Sequence, residues 1–243
     1  MNLTEKVSLL HGYGPRAVPG GVGFVRGVKR LGIPPLVMAN GPQGWGPWAG
    51  AKDSKTTCWP SGLTVAASFD TDLARQWGEA MGNEFFEKGT NVQLGPALCV
   101  IRIPTNGRAF EYLSGEDPHL GSMLAPAVIK GIQSKGIMAN VKHFIANSQE
   151  TNRHSINSVV DERTLHELYY PPFEAAVASG VASFMCAYNK INGDWACGSN
   201  QTLRTDLKGT FQFQGFVMSD WSVPSLFFYF IAHHPCLLTI LLM

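Results

Sequence analysis

The sequence predicts an α/β fold in which the strands of a parallel sheet alternate with helices. Short apolar runs rich in Val, Ile, Met and Phe alternate with longer segments of helical periodicity, as in repeated strand–helix units. The 243 residues suffice for one large domain with an extensive core, and no internal repeat or linker-like stretch divides them. The 26 glycines and 15 prolines supply many turns without reaching the share that marks a low-complexity chain.

The individual elements follow from local patterns. Leu3, Val7 and Leu10 have helical spacing behind Asn2, a suitable cap, and predict a short amphipathic first helix. Further helices are predicted over residues 70–88, 119–135 and 161–179. Strands are predicted over residues 35–39, 63–67, 91–94, 137–141, 182–188 and 216–219.

Composition excludes several classes of protein. The 19 Lys and Arg nearly balance the 18 Asp and Glu, and no basic run is present, so nucleic acid is not a predicted partner. The five cysteines form neither a disulfide framework nor the paired spacing of a zinc site, and no metal or other cofactor is predicted. Cys186 and Cys197 are near enough in sequence to pair, although buried free thiols are the favoured interpretation.

The two ends of the chain differ from its middle. The first residues lack the basic and apolar regions of a secretory signal, which leaves the compartment open, including outside the cell if the natural chain begins further upstream. Residues 224–243 are apolar and uncharged but interrupted by His233, His234 and Pro235, so a membrane span is not favoured. We therefore expect one domain over residues 1–223 and an unrelated tail over 224–243, with the oligomeric state undetermined.

Polar side chains follow several of the predicted strands, where the loops of a parallel α/β scaffold form its binding sites. They are Asn40, Arg108, Glu111, Lys142, His143, Tyr188, Asn189 and Asp220. Each has a structural alternative, such as an ion pair between Lys142 and Glu111. Together they favour a site for a neutral polyhydroxylated ligand, with Trp45, Trp48 and Trp221 offering apolar faces to a sugar ring.

Several long blocks resemble glycoside hydrolase family 3, the β-glucosidase family, in the correct order from Leu3 to about Trp221. The blocks are TEKVSLLHG, GIPPLVMANGPQG, GRAFEYLSGEDP, VKHFIANSQE, VDERTLHELYYPPFEAAV, SFMCAYNKINGDWAC and GFVMSDW. The resemblance implies a (β/α)8 TIM-barrel-like domain, incomplete at its C-terminal end here. In full-length members a second α/β domain follows. The implied activity is hydrolysis of terminal β-linked glucose from β-glucosides or oligosaccharides, with retention of configuration.

The resemblance also implies roles for particular residues. Asp220 falls on the position of the catalytic nucleophile, which forms the covalent glycosyl intermediate. The remaining implied contacts hold hydroxyls or form the wall of the glucose subsite, where Tyr188 also steers Asp220. They are made by Arg108, Lys142, His143, Met185 and Tyr188. Asp117 and Asp161 are interpreted as turn or helix-cap residues.

Two departures from the family pattern affect the expected activity. Asn40 replaces the usual Asp of an Asp-Gly-Pro motif, which removes a charged acceptor for sugar hydroxyls. The family's acid/base carboxylate usually follows the SDW motif, and neither Asp nor Glu follows Val223, so we expect little or no glucosidase activity from this chain. The alternatives are a non-catalytic sugar-binding barrel and a β-xylosidase of the same family.

Overall fold

The computed structural model describes residues 1–13, 21–46 and 55–221. Trp48 and the predicted tail over residues 224–243 lie outside the described residues. The boundary at residue 223 therefore stays a prediction.

The main sheet has seven strands, which are β1 (Gly12–Tyr13), β2 (Gly23–Val25), β3 (Leu36–Asn40), β4 (Val92–Leu94), β5 (Met138–Phe144), β7 (Ser183–Cys186) and β10 (Phe216–Ser219). Their order in the sheet is β1-β2-β3-β4-β5-β7-β10. Strands β3, β4, β5, β7 and β10 are parallel, whereas β2 is antiparallel to both β1 and β3. The predicted parallel sheet is confirmed at five of its six strands.

The sheet is curled, so that its two sides approach each other. The indole Nε1 of Trp221, just after β10, donates a hydrogen bond to the carbonyl of Val22, just before β2, at 3.1 Å. Alternate residues of the strands fill the inside of the curve, among them Met38, Val92 and Met185. The described sheet has five parallel strands where a complete barrel has eight, which agrees with the predicted incomplete barrel.

Helices and short loops cover the outer face of the sheet. The helices are α1 (Leu3–Leu9), α2 (Gly62–Ala66), α3 (Thr71–Glu87), α4 (Pro118–Gln133), α5 (Glu162–Thr164) and α6 (Pro171–Ala178). Residues Leu165–Tyr169 and Asn200–Thr210 are π-helical, and a small sheet contains β6 (Asn157–Ser158), β8 (Lys190–Ile191) and β9 (Asp194–Trp195). No helix among the described residues is long and apolar enough to cross a membrane.

The long helices begin at side-chain caps and pack closely. Asp70 accepts hydrogen bonds from the backbone N–H groups of Asp72 and Leu73 at the start of α3, and Asp117 caps α4 in the same way. Helices α3 and α4 cross where Gly78 meets Val128, because a Cβ at Gly78 would lie 2.5 Å from the Val128 carbonyl oxygen. The outer core therefore depends on a glycine contact as well as on apolar side chains.

Two predicted elements differ in the structure. Residues 63–67 were predicted as a strand but lie in α2, which Ser61 caps by accepting a hydrogen bond from the backbone N–H of Thr64. The periodicity of a short apolar run does not distinguish a strand from a buried helix. Here the cap at Ser61 favours the helix. Helix α1 forms behind Asn2 as predicted, but its apolar residues Leu3 and Val7 are exposed.

The preference for free thiols at Cys186 and Cys197 was wrong. The two residues form a disulfide, with Cα atoms 5.1 Å apart. Cys186 ends β7, and the chain returns past it through the hairpin of β8 and β9 to Cys197. The hairpin brings the two cysteines within bonding distance, which their separation in the sequence did not reveal.

Candidate active site

A carboxylate lies at the mouth of the curled sheet, directly after β10. Asp220 is mostly buried, and its Oδ1 accepts hydrogen bonds from the hydroxyl of Tyr188 at 2.9 Å and the backbone N–H of Trp221 at 2.7 Å. Its Oδ2 lies 3.4 Å from the Nε2 of His143. Side chains at the C-terminal ends of two other strands, His143 in β5 and Tyr188 just after β7, thus hold this carboxylate in one orientation.

His143 is a neutral, oriented imidazole. Burial lowers the pKa of His143 well below its ordinary value, and the charges of Lys142, Arg108 and Arg153 lower it further. The carboxylate of Asp220 can only accept, so the proton of the neutral ring is assigned to Nε2.

The other ring nitrogen of His143 is then an acceptor. The hydroxyl of Tyr112 lies 3.3 Å from Nδ1 and donates to it. The sequence did not predict Tyr112 as a site residue, because an aromatic residue within an apolar segment is typical of the protein core. Its position inside the GRAFEYLSGEDP block was the only available signal.

Glu111 lies between two cations, Lys142 and Arg108. Its Oε2 is 3.5 Å from the Nζ of Lys142, and its Oε1 is paired with the Nε of Arg108. Burial lowers the pKa of Lys142, against the opposing effect of Glu111. Burial also acts to lower the pKa of Arg108, but the neighbouring carboxylates raise it above its ordinary value. The predicted ion pair of Lys142 and Glu111 is therefore present within the candidate site.

Two further side chains surround Tyr188. The guanidinium of Arg153 lies over its ring at 4.4 Å, and the ring of His154 is 4.3 Å away. Burial, followed by the charge of Asp220, raises the pKa of Tyr188, so its hydroxyl stays a proton donor to the carboxylate. Sequence reasoning missed Arg153, which lies in a loop without a distinguishing pattern.

The remaining predicted residues lie in different places. Asn40 is exposed at the end of β3, Met185 is buried on the inner face of β7, and Trp221 is partly buried beside Val22. Trp45 was expected to face a sugar but is 5% exposed and belongs to the outer core. Its ring is buried with the side chains of the helices, although Trp45 lies close to Asn40 in the sequence.

The described residues contain no group of three or more His, Cys, Asp or Glu side chains that could hold a metal ion. Cations and hydrogen-bond donors surround the Asp220 carboxylate instead. The arrangement can hold hydroxyl groups and present a carboxylate oxygen to an electrophilic carbon.

The chain matches the family described as "Glycosyl hydrolase family 3 N terminal domain" over residues 24–236. It belongs to glycosyl hydrolase family 3. This confirms the family resemblance and the barrel-like α/β fold.

The curated relatives of this family 3 chain are named as β-glucosidases. Probable beta-glucosidase A of Aspergillus terreus is 43% identical over 236 residues, covering 91% of this chain and 27% of that protein. Beta-glucosidase 2 of Saccharomycopsis fibuligera is 39% identical over 239 residues, covering 91% of this chain and 26% of that protein. The chain thus spans about a quarter of the length of these family 3 relatives.

Solved structures of β-glucosidases have the same fold. DesR, a β-glucosidase from Streptomyces venezuelae in complex with D-glucose, has a TM-score of 0.86 and 43% identity, with 91% of this chain and 28% of that chain covered. Beta-glucosidase 3B from Thermotoga neapolitana in complex with glycerol has a TM-score of 0.85 and 39% identity, with 91% and 33% covered.

Proposed function

We propose that this chain supplies the glucose-binding part and the nucleophile of a retaining β-glucosidase. The buried Asp220 carboxylate, fixed at the mouth of the curled sheet, carries the proposal. A rigid carboxylate beside neutral and cationic donors suits attack on the anomeric carbon of a bound sugar. Names and titles of the family relatives, which include a complex with D-glucose, support glucose as the sugar.

The proposed reaction has two displacements at the anomeric carbon. Oδ1 of Asp220 already accepts two short hydrogen bonds, so Oδ2 is the oxygen that attacks. The bond to the aglycone oxygen breaks, and that oxygen keeps the electron pair and takes a proton from a general acid. Water then attacks the same carbon and gives up a proton to the conjugate base of that acid, which releases glucose with its original configuration and Asp220 as a carboxylate.

The neighbouring donors bind the sugar hydroxyls. Lys142 and Arg108 lie on either side of Glu111, whose carboxylate offsets their charge and fixes their ends. The Nε2–H of His143 is a neutral donor between them and Asp220. Met185 and the ring of Trp221 form an apolar wall against the carbon skeleton of the sugar, and Asn40 adds an amide at the rim of the site.

The general acid is not assigned to the carboxylates near Asp220. Glu111 is paired with Arg108 and Lys142, and Glu150 with Arg153 at 2.6 Å and Arg108 at 3.6 Å. Both carboxylates are engaged in these ion pairs, so neither is assigned as the general acid. In most of the family the acid/base carboxylate follows the SDW motif, which supports an acid from a region after Trp221.

A substrate that needs no acid tests the proposal. The chain is incubated with 2,4-dinitrophenyl 2-deoxy-2-fluoro-β-D-glucoside, whose leaving group departs without protonation and whose fluorine slows hydrolysis of the intermediate. We expect a covalent glycosyl adduct on the peptide that contains Asp220, detected by mass spectrometry. Asp220→Asn removes the adduct, whereas Asp117→Asn, a matched change at a helix cap, retains it.

The outcomes separate the proposed function from its alternatives. Binding of D-glucose without an adduct would overturn the assignment of Asp220 as nucleophile and would support the non-catalytic sugar-binding barrel. Faster labelling by the corresponding xyloside would overturn the preference for glucose. An adduct on a residue other than Asp220 would refute the assigned chemistry.

A further inference from the structure

Asn200 begins a sequence pattern that has a chemical meaning of its own. Residues 200–202 read Asn-Gln-Thr, which has the form Asn-X-Thr of an acceptor for N-linked oligosaccharides. Asn200 and Asn2 are the asparagines of this chain that begin such a pattern. Three residues can match a pattern by chance, but the structure around Asn200 adds three independent features that point to the same modification.

The side chain of Asn200 is exposed and has room for a large substituent. Asn200 is the first residue of the helix Asn200–Thr210, whose cap is Ser199 and not Asn200. The hydroxyl of Ser199 accepts a hydrogen bond from the backbone N–H of Thr202 at 3.2 Å. The amide of Asn200 makes no hydrogen bond to any residue in the described ranges. An oligosaccharide on its Nδ2 would therefore extend into solvent without disturbing the cap.

Thr202 carries a hydroxyl that the folded protein does not use. Thr202 is 2% exposed, and its Oγ1 has no hydrogen-bond partner among residues 1–13, 21–46 and 55–221. A buried hydroxyl without a partner destabilises a fold, and Val would fill nearly the same space without that cost. The acceptor pattern does require the hydroxyl, because the third residue must be Ser or Thr. A reaction that precedes folding of this segment thus explains a hydroxyl that the finished fold leaves unpaired.

The neighbouring disulfide indicates a compartment in which the modification occurs. Cys197 lies shortly before Asn200 in the chain and is bonded to Cys186. Disulfides form in oxidising compartments such as the lumen of the endoplasmic reticulum and are rare in the cytosol. N-linked oligosaccharides are attached in the same lumen. The disulfide and the acceptor pattern are therefore products of one folding route.

We propose that Asn200 is a site of N-linked glycosylation. The co-substrate is an oligosaccharide joined through its anomeric carbon to a polyprenyl diphosphate. Nδ2 of Asn200 bonds to that carbon and loses one amide proton to a base of the transferase, while the bond from the carbon to the diphosphate oxygen breaks and the diphosphate keeps the electron pair. The proposal does not depend on the proposed function, because neither Asn200 nor Thr202 takes part in the Asp220 cluster.

Expression of the full chain behind a cleavable secretory leader in a yeast host tests Asn200 directly. Thr4→Ala, at an exposed residue, removes the second acceptor pattern, so any oligosaccharide reports on Asn200. Chains from which the leader has been cut have entered the lumen, and only these are analysed. We expect them to carry an oligosaccharide that an endoglycosidase removes and that peptide mass spectrometry locates at Asn200. An unmodified Asn200 in the processed chains would overturn the proposal.

Matched variants separate recognition of the acceptor from folding. Thr202→Ser keeps the hydroxyl and should retain the oligosaccharide, whereas Thr202→Val keeps the shape and should lose it. Asn200→Gln should also lose it, and Asn83→Gln, at an exposed asparagine outside the pattern, should retain it. An oligosaccharide that persists in Asn200→Gln or Thr202→Val would refute the assignment. The unfolding temperature of Thr202→Val should equal or exceed that of the deglycosylated parent, and a lower value would contradict the role given to the hydroxyl.

The glycosylated chain must also reach the described fold. Peptide mapping without reduction should find the Cys186–Cys197 disulfide in glycosylated chains as well as in Asn200→Gln. A disulfide that forms in Asn200→Gln but not in glycosylated chains would show that the fold does not tolerate a substituent at this position, and would overturn the proposal. A failure of Asp220 to form the glycosyl adduct bears only on the proposed function.

Discussion

The buried imidazole of His143 makes the stability of the fold depend on pH. Its pKa is lowered first by burial and then by the charges of Lys142, Arg108 and Arg153. The nearby carboxylate is that of Asp220, whose Oδ2 lies 3.4 Å from Nε2 of His143. In the unfolded chain the histidine titrates near pH 6.5. Below that pH the unfolded chain takes up a proton that the folded chain does not, so the free energy of unfolding falls as the pH falls.

The expected size follows from proton linkage. A fully exchanged proton contributes about 1.4 kcal/mol per pH unit, but the unfolded histidine is already half protonated at pH 6.5. Lowering the pH from 6.5 to 5 therefore costs about 1.7 kcal/mol, since the folded imidazole stays neutral over this range. Above about pH 7.5 the imidazole is neutral in both states and this dependence is absent. The free energy of unfolding is measured by urea denaturation, followed by tryptophan fluorescence, at pH 5, 6, 7 and 8.

A histidine variant isolates this contribution from the titration of carboxylates. His143→Gln keeps a neutral polar side chain and is expected to flatten the pH dependence between 5 and 6.5 by that amount. His119→Gln changes an exposed histidine and should retain the dependence of the parent chain. Equal slopes for the parent and His143→Gln would refute the reasoning. A steeper fall for His143→Gln would show that Asp220 keeps the imidazole charged.

Three further changes test the site and the core. Tyr188→Phe removes a charge-assisted hydrogen bond to Asp220 worth about 1.5–3 kcal/mol, so release of dinitrophenolate in the trapping assay should slow roughly tenfold to a hundredfold. An unchanged rate would argue against steering by Tyr188. Asn40→Asp restores a charged acceptor, and calorimetry should show about tenfold tighter binding of D-glucose, whereas weaker binding would contradict this. Phe184→Ala empties a fully buried site among aromatic rings and should lower the free energy of unfolding by about 3–5 kcal/mol. Phe86→Ala, at an exposed position, should change it by less than about 0.5 kcal/mol.

Sequence patterns predicted the parallel sheet because its strands are short apolar runs between longer helical segments. The same pattern misplaced residues 63–67, where only the cap at Ser61 distinguishes a helix from a strand. The helix over residues 200–210 was missed, since Leu203 and Leu207 are its two apolar side chains and its other buried residues, Thr202 and Asp206, are polar. Periodicity therefore identified buried elements and failed where a cap or a local hydrogen bond determines the backbone.

The sequence also predicted part of the candidate site. Strand ends placed Lys142, His143, Tyr188 and Asp220 at one rim, because parallel strands bring their carboxyl ends to the same edge of a sheet. The sequence did not identify Tyr112, whose hydroxyl orients His143 from 31 residues away. Such partners are set by the packing of two loops, and no spacing along the chain encodes them.

The sequence by itself determined the alternation of strands and helices, the family and the chemical types gathered at the rim. These depend on residue identity and on spacing over one element, which the linear chain shows directly. Only the tertiary structure decided that Trp221 meets Val22 across the curled sheet, that Cys186 pairs with Cys197, and that Tyr112 donates to His143. These contacts join segments brought together by loop paths and side-chain packing, and their geometry exists only after the core has formed.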